Sequence, residues 1–331
     1  MGEVGNRETN LRASGSGLRA SDFSSPDLPT SSVISRRRKS LGNHATAYLF
    51  LLPGISVFLL TVIFPIVKSI QISFYKWMVL PGVPSPFLGF GNYSRALHDP
   101  VFWQALVNSG FYMLVTVPSQ IILGLLAAIL LNNKIRGRAT FRVLIYLPVI
   151  TSWVVVTLLF LYLFSGDGGF FNWILKDVLH LVNQDVQWFG SRWPAMIAMA
   201  ALGIWKGIGW SMIIFLAALQ SVNPELVEAA AIDGAGPIRR FFAVTIPAVR
   251  RTTTFISMML VIGGFNVFIQ VYLMTQGGPS GATEVLLTYM YKQAFTYLDF
   301  GYGSAIAFLL AAIILVLSGV QWRYFRPDAD S

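Results

Sequence analysis

The chain has 331 residues, of which 55% are hydrophobic and 12% charged, and its formal net charge is +9. A soluble domain carries roughly 25% charged residues, so this composition excludes an ordinary soluble protein and points to an integral membrane protein. The absence of cysteine excludes disulfides, thiolate metal sites and cysteine nucleophiles, and His44, His98 and His180 stand too far apart to suggest a metal cluster.

Residues 1–44 are rich in Ser, Gly and Arg without hydrophobic periodicity and read as a disordered tail. Arg36, Arg37, Arg38 and Lys39 lie near its end, shortly before the first apolar run. That run is long enough to span a bilayer and no apolar stretch precedes it, which predicts an uncleaved anchor instead of a signal peptide. Six runs qualify as spans, at about 47–67, 109–131, 141–164, 195–219, 252–275 and 301–322. The expected architecture is therefore an all-α membrane protein: a six-span domain over 45–325 and a short tail over 326–331, with both termini on one side. Lys134, Arg136, Arg138, Arg142, Arg239, Arg240, Arg250, Arg251, Arg323 and Arg326 fall on the same side as the first basic cluster. The positive-inside rule makes that side cytoplasmic. No internal repeat announces a two-halved secondary transporter.

Between spans three and four, "SGDGGF" at 165–170 reads as a flexible turn. Span four then carries Lys206, an ionisable group near the middle of an apolar helix and a functional candidate by default. Trp205 and Trp210 flank it, and Lys206 and Trp210 share a helix face. Aromatic rings beside hydrogen-bonding groups suit a sugar, whose CH faces stack and whose hydroxyls need partners. Lys206 alternatively serves packing, snorkels, or pairs with a neighbouring subunit.

The loop over 223–250 has start and stop signals of its own. Asn223 caps a helix with Pro224 in its first turn and Glu225 and Glu228 at the positive end of the dipole. Ala229, Ala230 and Ala231 favour helix and leave a smooth face, and Gly234 is placed to end it in a left-handed turn. Pro237 opens a second short helix carrying Arg239, Arg240, Phe241 and Phe242, and Pro247 marks its end or a kink before span five. From the residues alone this is either a projecting docking element or a connector lying on the membrane surface. A short apolar second helix and a membrane tether disfavour a DNA-reading role.

Span five offers Gly263, Gly264, Asn266, Gln270 and Tyr272. Asn266 and Gln270 lie one turn apart, suited either to a translocation path or to hydrogen bonding between helices. Beyond it, "TQGGPSGATE" at 275–284 reads as a second flexible turn, and Met290, Tyr291 and Phe295 suggest an interfacial helix.

Glu228-Ala229-Ala230, Asp233-Gly234-Ala235, and then Val244, Ile246 and Pro247 resemble the EAA loop of permease subunits in binding-protein-dependent ABC importers, with Val244 and Ile246 standing where the family usually has Ile and Leu. "FLGFGNY" at 87–93, the run from Trp205 to Ala235 and "YLMTQGGP" at 272–279 are similar to the carbohydrate branch, the maltose and glycerol-3-phosphate type, and nearer its first permease. The resemblance covers about 45–325, and Ile269 departs from it where many relatives carry Asp. It implies a type I ABC importer permease fold in the cytoplasmic membrane of a prokaryote, with the EAA element as the coupling helix. Glu228, Ala229, Ala230, Asp233, Gly234, Ala235, Arg239, Phe241 and Pro247 would then dock in a cleft of the ATPase. Trp205, Lys206, Trp210, Asn266, Gln270 and Tyr272 are the candidates for the substrate path. The implied partners are a second, unlike permease, two cytoplasmic ATPase subunits, an extracytoplasmic binding protein and a sugar or sugar derivative. A disaccharide leads; oligosaccharides and glycerol phosphates stay open.

The chain has no G-x-x-x-x-G-K-[ST] phosphate loop, so ATP and Mg are expected on the partner ATPase and this chain is expected to be no enzyme and to hold no cofactor. It also lacks a serine elbow and an H-E-x-x-H. The alternatives are an ion-coupled secondary transporter, which predicts acids within the spans where none stands, and a membrane anchor that recruits a soluble partner.

Overall fold

The computed structural model describes residue 46 and residues 48–325 except 81 and 134. The expected tails at 1–44 and 326–331 lie outside the described residues, as do Arg36, Arg37, Arg38, Lys39, Lys134 and Arg326. Among the described residues every regular element is helical, with one isolated bridge between Tyr75 and Phe87. The chain falls into two units, the first ending at Phe64 and the second beginning at Pro65. In the first, the helix Tyr48–Ser73 begins, widened to a π-turn over Leu59–Ile63. Pro65 lacks the N–H that the Thr61 carbonyl would accept in an α-helix, and the widening just before it absorbs the loss.

Among the described residues, five helices are long and apolar enough to cross a membrane: Tyr48–Ser73, Pro100–Asn132, Arg192–Gln220, Arg250–Met274 and Phe300–Tyr324. The pair Arg138–Ile150 and Trp153–Leu163 makes a sixth if it counts as one span, but it is bent by 98°. The run expected as a span at 141–164 is thus two helices that meet at this bend. Pro148 sits in the last turn of the first half, and Thr151 and Ser152 adopt extended backbone, so the helical ladder stops and restarts. The second span starts well before its apolar run because Asp99 caps it: its Oδ1 accepts the Val101 N–H at 2.9 Å, with Pro100 in the first turn. The fifth is interrupted between Phe265 and Ile269, where the Asn266 side chain bonds back to the Ile262 carbonyl at 2.8 Å.

Within the second unit, Pro100–Asn132 and Arg192–Gln220 pack most extensively. Glycines make the approach possible. Gly203 and Gly207, one turn apart, face the polar ends of Tyr112 and Gln120, and Gly124 lies against Ser211. A Cβ at Gly209 would meet Tyr146 Cα at 3.0 Å, so this glycine lets the fourth span cross the bent third one. One apolar cluster, built on Leu125, Met212, Phe215 and Ile256, sits at the end of the unit that carries the 223–250 loop. Two others, around Met196 and Met199 and around Phe102 and Tyr302, lie toward the opposite end.

Candidate functional site

A cavity of about 610 Å³ lies among the second, third, fourth and fifth spans. Trp153, Trp210 and Phe268 supply aromatic surface, and Gln120, Asn266 and Gln270 supply amides. Each amide uses one of its two N–H donors within the protein. Gln120 Nε2 donates to the Gly203 carbonyl at 3.2 Å, Gln270 Nε2 to Tyr112 Oη at 3.2 Å, and Asn266 Nδ2 to Ile262. Their carbonyl oxygens remain as acceptors in a largely apolar chamber, an arrangement that receives hydroxyl donors next to CH-rich faces.

Lys206 lines the same cavity and is only 3% exposed. Its Nζ donates to the carbonyls of Pro148 and Thr151, both at 2.6 Å, and to that of Val149 at 3.3 Å. These carbonyls lie at the break in the third span, where a helix ends with its negative dipole pole toward the ammonium; that of Pro148 also accepts the Thr151 hydroxyl at 2.6 Å. The charge on an otherwise apolar face thus meets the carbonyls at the helix end that the break creates.

Of the six path residues expected from sequence, Lys206, Trp210, Asn266 and Gln270 converge on the cavity. Trp205 and Tyr272 do not line it. Trp205 lies on another helix face, 42% exposed, with its ring 5.4 Å from that of Phe160. Tyr272 stacks on Phe268 at 5.2 Å and meets Tyr291 edge-on at 5.6 Å, outside the chamber. Sequence reasoning missed Tyr112, Gln120 and Trp153. Gln120, a polar group within an apolar run, was a legible signal; Trp153 gave none.

The 165–170 and 275–284 segments are not open turns. Each folds around a buried asparagine. Asn172 donates to the carbonyls of Ser165, Gly166 and Val186 and accepts from the Val186 N–H and Trp188 Nε1. Asn108, fully buried, donates to the carbonyls of Ala282 at 2.9 Å and Glu284 at 2.6 Å and accepts from Arg192 Nε at 2.8 Å. Glu284 is itself buried and pairs with Lys292. Close by in sequence to the expected interfacial helix, Leu286–Tyr291 continues as a π-turn over Lys292–Thr296. Asp99 accepts from the hydroxyls of Tyr289 and Tyr302. Burial pushes its carboxyl up, but those hydroxyls and the amides of Val101 and Phe102 outweigh it and hold it below the ordinary value.

At the other end, Pro224–Ile232 is capped by Asn223, whose Oδ1 accepts the Glu225 N–H at 3.0 Å. Gly234, at φ +79°, ends it: its N–H bonds to the Ala231 carbonyl and the Ala235 N–H to that of Ala230, a Schellman pair. Glu228, Ala229, Asp233, Gly234, Arg239 and Pro247 are exposed, and Ala230 and Ala235 are half-buried. Phe241, grouped with them in the sequence reading, turns inward against the apolar cluster at this end, while Phe242 points out. Ile232, 87% exposed, and Ile238 join Phe242 as an outward apolar set that the motif alone did not mark. The backbone passes Pro247 without ending there. A π-turn over Phe241–Thr245 precedes it, and the break before the fifth span falls at Val249.

Residues 120–325 match the family of binding-protein-dependent transport system inner membrane components. The chain is 36% identical to YurN, a probable ABC transporter permease protein of Bacillus subtilis strain 168, across 87% of this chain and 98% of that one. It is 33% identical to LacF, the lactose transport system permease protein of Rhizobium radiobacter, across 89% of this chain and 99% of that one. Its fold matches a chain in the crystal structure of a bacterial ABC transporter involved in the import of the acidic polysaccharide alginate, with a TM-score of 0.76 at 22% identity, covering 89% of this chain and 100% of the other.

Proposed function

This chain belongs to the family of binding-protein-dependent transport system inner membrane components, and on that premise we propose that it is one permease of an ATP-driven importer for a sugar or sugar derivative. The observation that carries the substrate class is the chamber in which the aromatic side chains of Trp153, Trp210 and Phe268 stand with the amides of Gln120, Asn266 and Gln270. The lactose transport assignment of LacF supports it. In this reading the cavity is this subunit's half of the translocation path and a second, unlike permease supplies the rest.

The distribution of Lys and Arg supports a cytoplasmic position for the termini and for the 223–250 loop, in the cytoplasmic membrane of a prokaryote. There the Pro224–Ile232 helix, with the exposed Ile232 and the Ile238 and Phe242 that follow it, would dock on one of two ATPase subunits, which bind ATP and Mg. This chain would need no cofactor of its own. Closure of the ATPase dimer would move the loop and tip the bundle to face outward, where an external binding protein releases its cargo into the chamber. Family membership weighs against an ion-coupled secondary transporter and against a simple membrane anchor.

The test is purification of the chain from its native membrane under complex-preserving conditions, with ATP hydrolysis assayed on the preparation. Co-purification of a second permease and an ATPase, lost when Glu228 to Gly234 are replaced, is expected. A solitary chain without ATPase activity would overturn the reading.

A further inference from the structure

The third span restarts after its break at Trp153, the first residue of Trp153–Leu163. Its indole lines the cavity and is 41% exposed. Lys206 Nζ lies 4.9 Å from the ring centroid while holding the three carbonyls of the preceding helix end. An ammonium has three N–H donors, and here three carbonyls take them, so none is left for a substrate hydroxyl. What Lys206 does hold is the geometry of the break, and the break determines where the Trp153 ring stands. The cation over the ring adds a second restraint on it.

We propose that Trp153 is a stacking platform for a saccharide ring, and that Lys206 is a positioning residue that sets this platform and does not itself bind the sugar. The proposal rests on the sugar-importer reading above. The apolar CH face of a pyranose or furanose would lie on the indole, with its hydroxyls turned toward the amide carbonyls of Gln120, Asn266 and Gln270. A tryptophan serving only as an interfacial anchor would need no cavity beside it and no buried cation under its ring.

The experiment measures equilibrium binding of radiolabelled lactose, maltose and arabinotriose to the purified permease–ATPase complex in nanodiscs, with the external binding protein left out so that only the membrane site is read. Trp153→Leu is expected to raise Kd about tenfold for the bound sugar, the loss of one aromatic stacking contact, with Trp153→Tyr within about threefold of wild type. Lys206→Met is expected to weaken binding severalfold in the native background but less than about twofold on top of Trp153→Leu, because the two act as one unit. Lys206→Arg, which keeps donors for the carbonyls, is expected to recover most of the affinity. If Trp153→Leu fails to assemble, Trp153→Tyr carries the test through fluorescence: the sugar-induced change of the wild type should disappear in it. Native affinity in Trp153→Leu, or an unchanged fluorescence response in Trp153→Tyr, overturns the platform. Multiplicative losses in the double variant overturn the positioning role and make Lys206 a ligand in its own right. A wild-type complex that binds an amino acid or peptide in place of any saccharide overturns the sugar reading and the platform with it, and that failure is visible before any variant is made.

Discussion

Lys206 Nζ donates to the carbonyl of Thr151 at 2.6 Å, joining the middle of the fourth span to the point where the third one breaks. Helix ends inside a bilayer have no water to satisfy their carbonyls, so the ammonium replaces the solvent that the break would otherwise require. Replacing Lys206 with Met takes the ammonium from the carbonyls of Val149 and Thr151 and leaves that of Pro148 to the Thr151 hydroxyl and N–H, at about 1–3 kcal/mol for each group left without a donor. The expected result is a thermal midpoint in detergent several degrees lower, with Lys206→Arg between it and the native chain. An unchanged midpoint would show that the break needs no cap.

Asn108 performs the corresponding task for the 275–284 segment, and its loss is predicted to release that segment from the second span. Asn108→Leu strands the carbonyls of Ala282 and Glu284 and the Arg192 guanidinium, again at about 1–3 kcal/mol for each group. Arg192 Nη2 already lacks a partner, so little remains to compensate. Limited proteolysis should cut the variant between residues 275 and 285 where the native chain resists. Equal resistance would mean that the Glu284–Lys292 pair holds the loop by itself.

Gly234 has open space around the position of a Cβ, so a substitution there acts through the backbone alone. At φ +79°, Gly234→Val is expected to cost about 1–2 kcal/mol and to displace the turn after Pro224–Ile232. In the assembled importer this should leave ATP hydrolysis running while sugar uptake falls. Normal uptake would remove the loop from the coupling pathway.

Asp99 makes stability depend on pH. Its folded-state pKa is depressed, so its contribution is fully present above the ordinary carboxylate value and is lost as pH falls through the lower folded value, a window below about pH 4. Melting curves of the native chain and of Asp99→Asn should therefore converge in that window and stand apart above it. Parallel curves across the whole range would assign the pH dependence to another group.

Much of the architecture was legible in the sequence because its causes are local. Apolar run length marked the membrane helices, and Asn223, Pro224 and Gly234 marked a helix whose cap and left-handed stop depend on residues within a few positions. Lys206, Asn266 and Gln270, three of the four expected path residues that lie at the cavity, were legible because a polar group in an apolar helix is costly wherever it points and so announces itself.

The rest was decided only by tertiary packing. Hydropathy sums the 141–164 run as one span and cannot register a 98° break, since the cap that permits it, Lys206, comes from another helix. Trp153 looks like any membrane tryptophan until that break turns it to the chamber, and Trp205 shares the composition but faces away. The Gly- and Ser-rich segments at 165–170 and 275–284 have the composition of loose turns, yet Asn172 and Asn108 bind them through backbone carbonyls. Periodicity and turn propensity report what a residue does to its immediate neighbours along the chain. Which carbonyl a buried amide or ammonium meets depends on how the helices approach one another, and the glycines at 203, 207 and 209 allow that approach through contacts far away in sequence.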